Sequence, residues 1–213
     1  MVPYAARYNG RSWRKVRMPG GALAVSALSR ADMWAIGPTS TTATRALARQ
    51  SLIAMHWDGR SWRTVPVPRV RLSGAGSYFL SDGIAATGAR GLWWYYTVYG
   101  EGARAPRRNG LLRWNGSRWI TITVPAGTND ISAVAQDGTG GAWLLADDLV
   151  NYSLVQYWYH YSKGQWTRQV VPSPRKYGDT MFGVARIPGT TSVWSVGEAD
   201  LNYGNGSIGV IAG

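Results

Sequence analysis

A short aromatic hairpin signature recurs four times along this chain, and no other feature narrows its possible folds so far. The copies are Tyr8-Asn9-Gly10-Arg11-Ser12-Trp13, Trp57-Asp58-Gly59-Arg60-Ser61-Trp62, Trp114-Asn115-Gly116-Ser117-Arg118-Trp119 and Tyr161-Ser162-Lys163-Gly164-Gln165-Trp166, the last with its glycine one place late. Each closing Trp is followed six residues on by proline, at Pro19, Pro68, Pro125 and Pro172. Asn-Gly supplies the positive backbone angles that a two-residue hairpin turn needs. The flanks are aromatic and β-branched, as pleated strands prefer. Each copy therefore predicts strand, turn, strand.

The closing tryptophans, Trp13, Trp62, Trp119 and Trp166, lie 49, 57 and 47 residues apart. Between them sits a second strand pair with an inner Trp of its own. These pairs are Ala22–Ala27 with Met33–Gly37, Ile84–Thr87 with Leu92–Tyr95, Ile131–Ala135 with Ala142–Leu145, and Phe182–Ile187 with Val193–Gly197; they carry Trp34, Trp93, Trp143 and Trp194. A period of roughly fifty residues thus holds four short strands, labelled a to d. A four-stranded unit that cannot cover both of its faces alone, repeated at this period, is the pattern of a β-propeller blade. Strands such as Leu52–Trp57 are almost continuously apolar, as expected for sheets covered on both faces. No 3.6-residue apolar period is sustained, and only Thr42–Ala54 reads as able to hold a helical turn.

The expectation is an all-β chain, a β-propeller of four-stranded antiparallel blades with about four blades' worth of sequence. Residues 1–19 supply strands c and d of a first blade. Residues 20–68, 69–125 and 126–172 are whole blades, and 173–213 supply a, b and a partial c. Ser207–Ala212 reads as a c strand that competes with Tyr4–Tyr8 for one position. Three endings stay open: a closed four-blade ring with a loose tail, part of a larger ring, and an array that closes by self-association.

Composition limits function more than fold. The 27 Gly and 10 Pro are dispersed, which signals many turns rather than a disordered tract. The absence of Cys excludes a disulfide framework and thiolate metal sites. A formal charge of +12 favours acidic partners: nucleic acid, anionic glycan or another polyanion. No apolar run is long enough to span a bilayer, and Met1–Tyr4 lacks the apolar core of a signal peptide.

Six residues before each closing Trp stand Arg7, His56, Arg113 and His160. This cationic column reads either as a rung that binds an anion on each blade or as side chains stacked on aromatic neighbours and bonded to loop carbonyls. The stacking reading is preferred. His56 and His160 are the only histidines and lie in different repeats, so a His-based metal site or general base is not expected.

The pattern Trp-(Asn/Asp)-Gly-x-x-Trp, a proline six residues later, and a strand such as Val193-Trp194-Ser195-Val196-Gly197 resembles the Trp-rich, kelch-like propeller repeats of exported bacterial proteins. The resemblance covers roughly residues 4–200. The turns are also similar to the Asp-box of sialidase-like propellers, with Asp58 in place and Asn9, Asn115 and Ser162 as departures. It implies binding or scaffolding rather than chemistry, no cofactor, and an extracellular or cell-surface location. It also implies that ligands sit at the face made by the d–a and b–c loops. Residues of that face are Tyr78, Tyr99, Arg104, Arg107, Arg108, Tyr152, Arg175, Lys176 and Tyr177; Arg and Tyr are types enriched at interaction hot spots. Asp147, Asp148, Glu198 and Asp200 form the acidic cluster of the same loops, the candidates for a cation or a glycosidic carboxylate pair.

The functional expectation is a non-enzymatic binding or scaffold propeller engaging a glycan or protein partner through Arg/Tyr-rich loops. The alternative is a basic propeller that binds nucleic acid or another polyanion, with Arg14, Lys15, Arg17, Arg63 and Arg168 on outer strands. A lesser alternative is a glycoside-processing enzyme. Self-association through the unfinished terminal blade is the remaining partner expectation.

Overall fold

The computed structural model describes residues 3–39, 52–70, 78–100, 107–150, 153–171, 179–200 and 207–212. Every regular element among them is a strand. The first two, β1 (Tyr4–Tyr8) and β2 (Trp13–Arg17), pair as an isolated hairpin. Three four-stranded antiparallel sheets follow in sequence order: β3 (Ala24–Ser29), β4 (Asp32–Pro38), β5 (Leu52–Trp57) and β6 (Trp62–Pro66); β7 (Tyr78–Gly88), β8 (Gly91–Tyr99), β9 (Arg108–Trp114) and β10 (Trp119–Ile122); β11 (Thr128–Gln136), β12 (Ala142–Val150), β13 (Ser153–Ser162) and β14 (Gln165–Val170). The last sheet holds β15 (Asp179–Arg186), β16 (Val193–Asp200) and β17 (Ser207–Ala212).

Strand order within each sheet is simply the order along the chain. The first strands meet one another from sheet to sheet, β3 on β7, β7 on β11 and β11 on β15. Sheets that touch along their innermost strands and carry their hairpins outward are the blades of a β-propeller. The core lies between faces. Trp34, Ile36 and Leu52 of one sheet close on Ile84, Leu92 and Trp94 of the next. Trp93, Tyr95 and Leu111 close on Val134, Leu144 and Tyr159. Leu145 and Trp158 close on Met181. Met18 of the β1–β2 hairpin closes on Ala35 and Met55.

The turns correct the expectation of two-residue hairpins. In the first three copies the closing pairs are Tyr8 with Trp13, Trp57 with Trp62 and Trp114 with Trp119, so four residues form each loop. Only the glycine has positive φ, near 95° at Gly10, Gly59 and Gly116. The residue before it does its work by side chain. Asn9 Oδ1 accepts from the amides of Arg11 and Ser12, each at 2.9 Å; Asp58 does the same for Arg60 and Ser61, and Asn115 for Ser117 and Arg118. Such an Asx turn competes successfully with a tight hairpin. The fourth copy is the two-residue turn: Ser162 pairs with Gln165, and both Lys163 (φ 50°) and Gly164 (φ 81°) are positive, as a type I′ turn requires. A late glycine is therefore the mark of a shorter loop. The expected helical turn over Thr42–Ala54 lies outside the described residues as far as Ser51, and from Leu52 the chain is strand.

Several residues read as loop are strand. Tyr78, Tyr99, Arg108, Asp147, Asp148, Glu198 and Asp200 all sit in β-ladders. Cross-strand partners extend strands past the polar residues that mark loops in a sequence.

Candidate binding surface at the loop end of the second and third blades

The cationic column settles first, because it determines which charges are left for function. His56 Nε2 meets Asp32 at 2.9 Å, and its ring centre lies 4.7 Å from that of Trp34. His160 Nε2 meets Asp137 at 3.0 Å, and the ring stacks on Trp143 at 4.2 Å and 7°. The Arg113 guanidinium lies over Trp93 at 5.5 Å. Each of these three rung residues faces the inner Trp directly across the b–c ladder. For these three the stacking is as the spacing suggests; the polar partners of the two histidines are carboxylates of the a–b turn rather than loop carbonyls. Burial alone would raise the Asp137 carboxyl, but hydrogen bonds from His160, Thr139 and Gly141 outweigh it and hold the group below the usual carboxylate value.

A different polar group gathers where β8 ends and β9 and β11 begin. The exposed Arg107 guanidinium lies over the Tyr99 ring at 5.1 Å and meets Asp130 Oδ2 at 3.2 Å. The buried Thr97 hydroxyl donates to Asn109 Oδ1 at 3.2 Å and lies 3.4 Å from Asp130 Oδ1. Asn109 Nδ2 donates to the carbonyls of Thr128 and Asn129. The β7–β10 sheet, the second whole blade, is thus tied to β11–β14, the third, at this end, and Arg107 is held at the rim between Tyr99 and Asp130. Arg108 begins β9 opposite Val98, near Tyr96, whose hydroxyl is pushed up by burial, with the arginine charge opposing. Gly110 makes room for that ring: a Cβ there would lie 2.2 Å from the Tyr96 ring.

The carboxylates of β12 diverge. Asp148, buried, accepts from the Tyr159 hydroxyl and lies 3.5 Å from Arg168, whose guanidinium covers Tyr157 at 4.7 Å. Asp147 stands across the ladder from Asp130 on one side and Gln156 on the other. Burial pushes the Asp147 carboxyl up; a hydrogen bond from Gln156 opposes this, and the charges of Asp130 and Asp148 add to it. Gln156 itself bridges to the last sheet, donating to Met181 O at 3.1 Å and accepting from Met181 N at 2.7 Å. Among the described residues no group of three or more His, Cys, Asp or Glu is placed to hold a metal ion. No helix among them is long and apolar enough to cross a membrane.

Of the residues singled out from the sequence, Tyr99 and Arg107 are brought together, Arg108 stands nearby, and Tyr78 pairs with Tyr99 across β7 and β8. Arg104, Tyr152, Arg175, Lys176 and Tyr177 lie outside the described residues. Asp130, Asn109 and Thr97 were not legible as site residues. Their only signal is position: each lies within four residues of a strand end at the loop face.

Among solved structures the chain is similar to YCF48 bound to D1 peptide, with a TM-score of 0.47 and 12% sequence identity. The match covers 92% of this chain and 54% of that one, so the chain spans about half the length of its structural neighbour. No protein-family model matches the sequence. No curated protein matches it either.

Proposed function

We propose that this propeller is a non-enzymatic binding module that engages an acidic segment of a protein partner at the loop end of its second and third blades. The observation that carries the reading is Arg107, exposed yet fixed between the Tyr99 ring and the Asp130 carboxylate. A guanidinium already held in place loses little freedom when it meets a carboxylate, and its planar fork suits bidentate pairing. Support also comes from the histidines: both are committed to an Asp and a Trp inside their own blades, which leaves neither placed as a general base. The test is binding of a peptide array with graded Asp/Glu content. Arg107→Ala together with Tyr99→Ala should abolish binding to acidic peptides while the melting temperature holds. Undiminished binding in the double variant discards the site.

A second reading, polyanion binding, has its own observation. Arg14, Lys15 and Arg17 of β2 are all exposed on one outer strand. Duplex DNA affinity should then fall steeply with salt and be lost in Arg14→Ala/Lys15→Ala/Arg17→Ala. Absence of binding at low salt discards it.

A further inference from the structure

The inner tryptophans Trp34, Trp93, Trp143 and Trp194 occupy equivalent ladder positions, yet they do not share one fate. Trp34, fully buried, packs on Ile84, Leu92 and Trp94 of the next sheet, donates its indole N–H to Gly88 O at 3.0 Å, and is covered by His56. Trp93 is equally buried and lies under Arg113. Trp194 is 46% exposed, and Val196 on the same side of β16 is 51% exposed. β17 pairs with β16 only as far as Ser195, so no rung residue faces Trp194 among the described residues.

The converse defect lies at the other end. Arg7 occupies the rung column, but β1 has no b strand beside it and hence no indole. Beside Arg7 lies an apolar cavity of about 490 Å³, lined among others by Val25, Ser29, Met33 and Ala35. By ladder register these four match Ile84, Gly88, Leu92 and Trp94, the surface on which Trp34 rests. The cavity is therefore a tryptophan socket with the rung cation in place and the indole missing. Val25 on its wall is 67% exposed. The outer rim is unfinished too. Trp119 and Trp166 each donate to the preceding sheet, to Pro66 O and Thr123 O, whereas the buried Trp62 indole N–H at the socket has no partner.

Rung chemistry matches across the gap. Histidine rungs go with an acid in the a–b turn, Asp32 or Asp137, while Arg113 goes with the acid-free turn Thr87–Gly91. The turn before Trp194, Ile187 to Ser192, is acid-free, and the unpartnered rung is Arg7.

We propose that Trp194 of a second copy of this chain fills the socket beside Arg7, with β16 of that copy pairing with β1. The register that repeats the other blades sets Trp194 opposite Arg7 and Ser195 opposite Ala6. Within one chain both socket and indole are left open; the occupant is a second copy, and β17, which holds the needed edge of β16, yields it to the incoming β1. Reciprocal exchange closes a two-fold assembly. Two copies bring six whole sheets and two composite ones, within the range of about four to eight blades that closed propellers use.

The test is molar mass in solution for the whole chain, for Trp194→Ala, for Arg7→Glu and for a variant lacking residues 207–213. A dimer is expected, tightened by the truncation. Trp194→Ala should weaken it by roughly thirtyfold, the cost of truncating an interface Trp, and Arg7→Glu should weaken it independently. The chain has no Cys, so mixing Ala6→Cys chains with Ser195→Cys chains should give a disulfide-linked pair. A monomer at every concentration in both the whole chain and the truncated one overturns the proposal. So does dimerisation unchanged in both side-chain variants, or a mixture of the two single-cysteine chains that forms no mixed disulfide under oxidation.

Discussion

The His160 imidazole lies flat on the Trp143 indole, 4.2 Å between centres and 7° from parallel, while its Nε2 reaches the buried Asp137. One side chain thereby joins the b strand, the c strand and the a–b turn of its blade. His160→Ala should cost about 1–3 kcal/mol, the range for leaving a buried carboxylate without its hydrogen-bond partner. His160→Arg should recover most of it, because the second blade runs the same position as Arg113 on Trp93. Urea midpoints of the three proteins decide this; equal loss in both variants contradicts it.

Asp137 should make stability acid-sensitive. Its folded carboxyl titrates below the ordinary 3.8. Its contribution is therefore complete above that value and fades as pH falls through the lower folded value. Asp137→Asn should be less stable than the parent at neutral pH, and the gap should narrow as pH drops below about 3.8. Denaturation midpoints measured across acid pH check the convergence.

Gly141 is fixed by close approach. A Cβ there would lie 2.1 Å from the Tyr161 carbonyl and 2.4 Å from an Asp137 oxygen. Gly141→Ala must move backbone, and should cost more than about 1 kcal/mol, the scale at which single substitutions commonly act. Gly164→Ala, with nothing near its added carbon but a positive φ of 81°, separates angular strain from collision. The melting point should fall further for Gly141→Ala.

The outer indoles should contribute in proportion to their bonds. Trp119 and Trp166 donate to the previous sheet at 2.8 and 2.9 Å. Replacement of either by Phe removes a hydrogen bond of about 0.5–1.5 kcal/mol net. Trp13, 69% exposed, should tolerate the same change with little loss. Equal effects at Trp13 and Trp119 contradict a role for these bonds.

The blade pattern was legible because Trp and Gly recur at positions that packing and turn geometry cannot fill otherwise. Trp34 and Trp93 are buried, and Trp143 half-buried, in the places their spacing implies. The turn type at Asn9-Gly10 is not legible in the sequence because the dipeptide suits two geometries, and only the side-chain bonds of Asn9 tell them apart. Asp147 and Asp148 looked like one cluster because adjacency in sequence hides the alternation of a strand; Asp148 belongs with Tyr159 and Arg168. Asp130 carries no motif at all. Its importance arises from Arg107, 23 residues earlier, which only the packing of two sheets brings near.

Sheets that follow one another in space in the order in which they are translated communicate only with their immediate neighbours. Energetic coupling in such a molecule is close to one-dimensional. The sheets of β7–β10 and β11–β14 are flanked on both sides, whereas the end hairpin β1–β2 is flanked on one. In the single, undimerised chain, amide protons of Leu92–Tyr95 and Leu144–Ala146 should therefore exchange with solvent last, and those of Tyr4–Tyr8 first, with fraying that starts at the ends and moves inward.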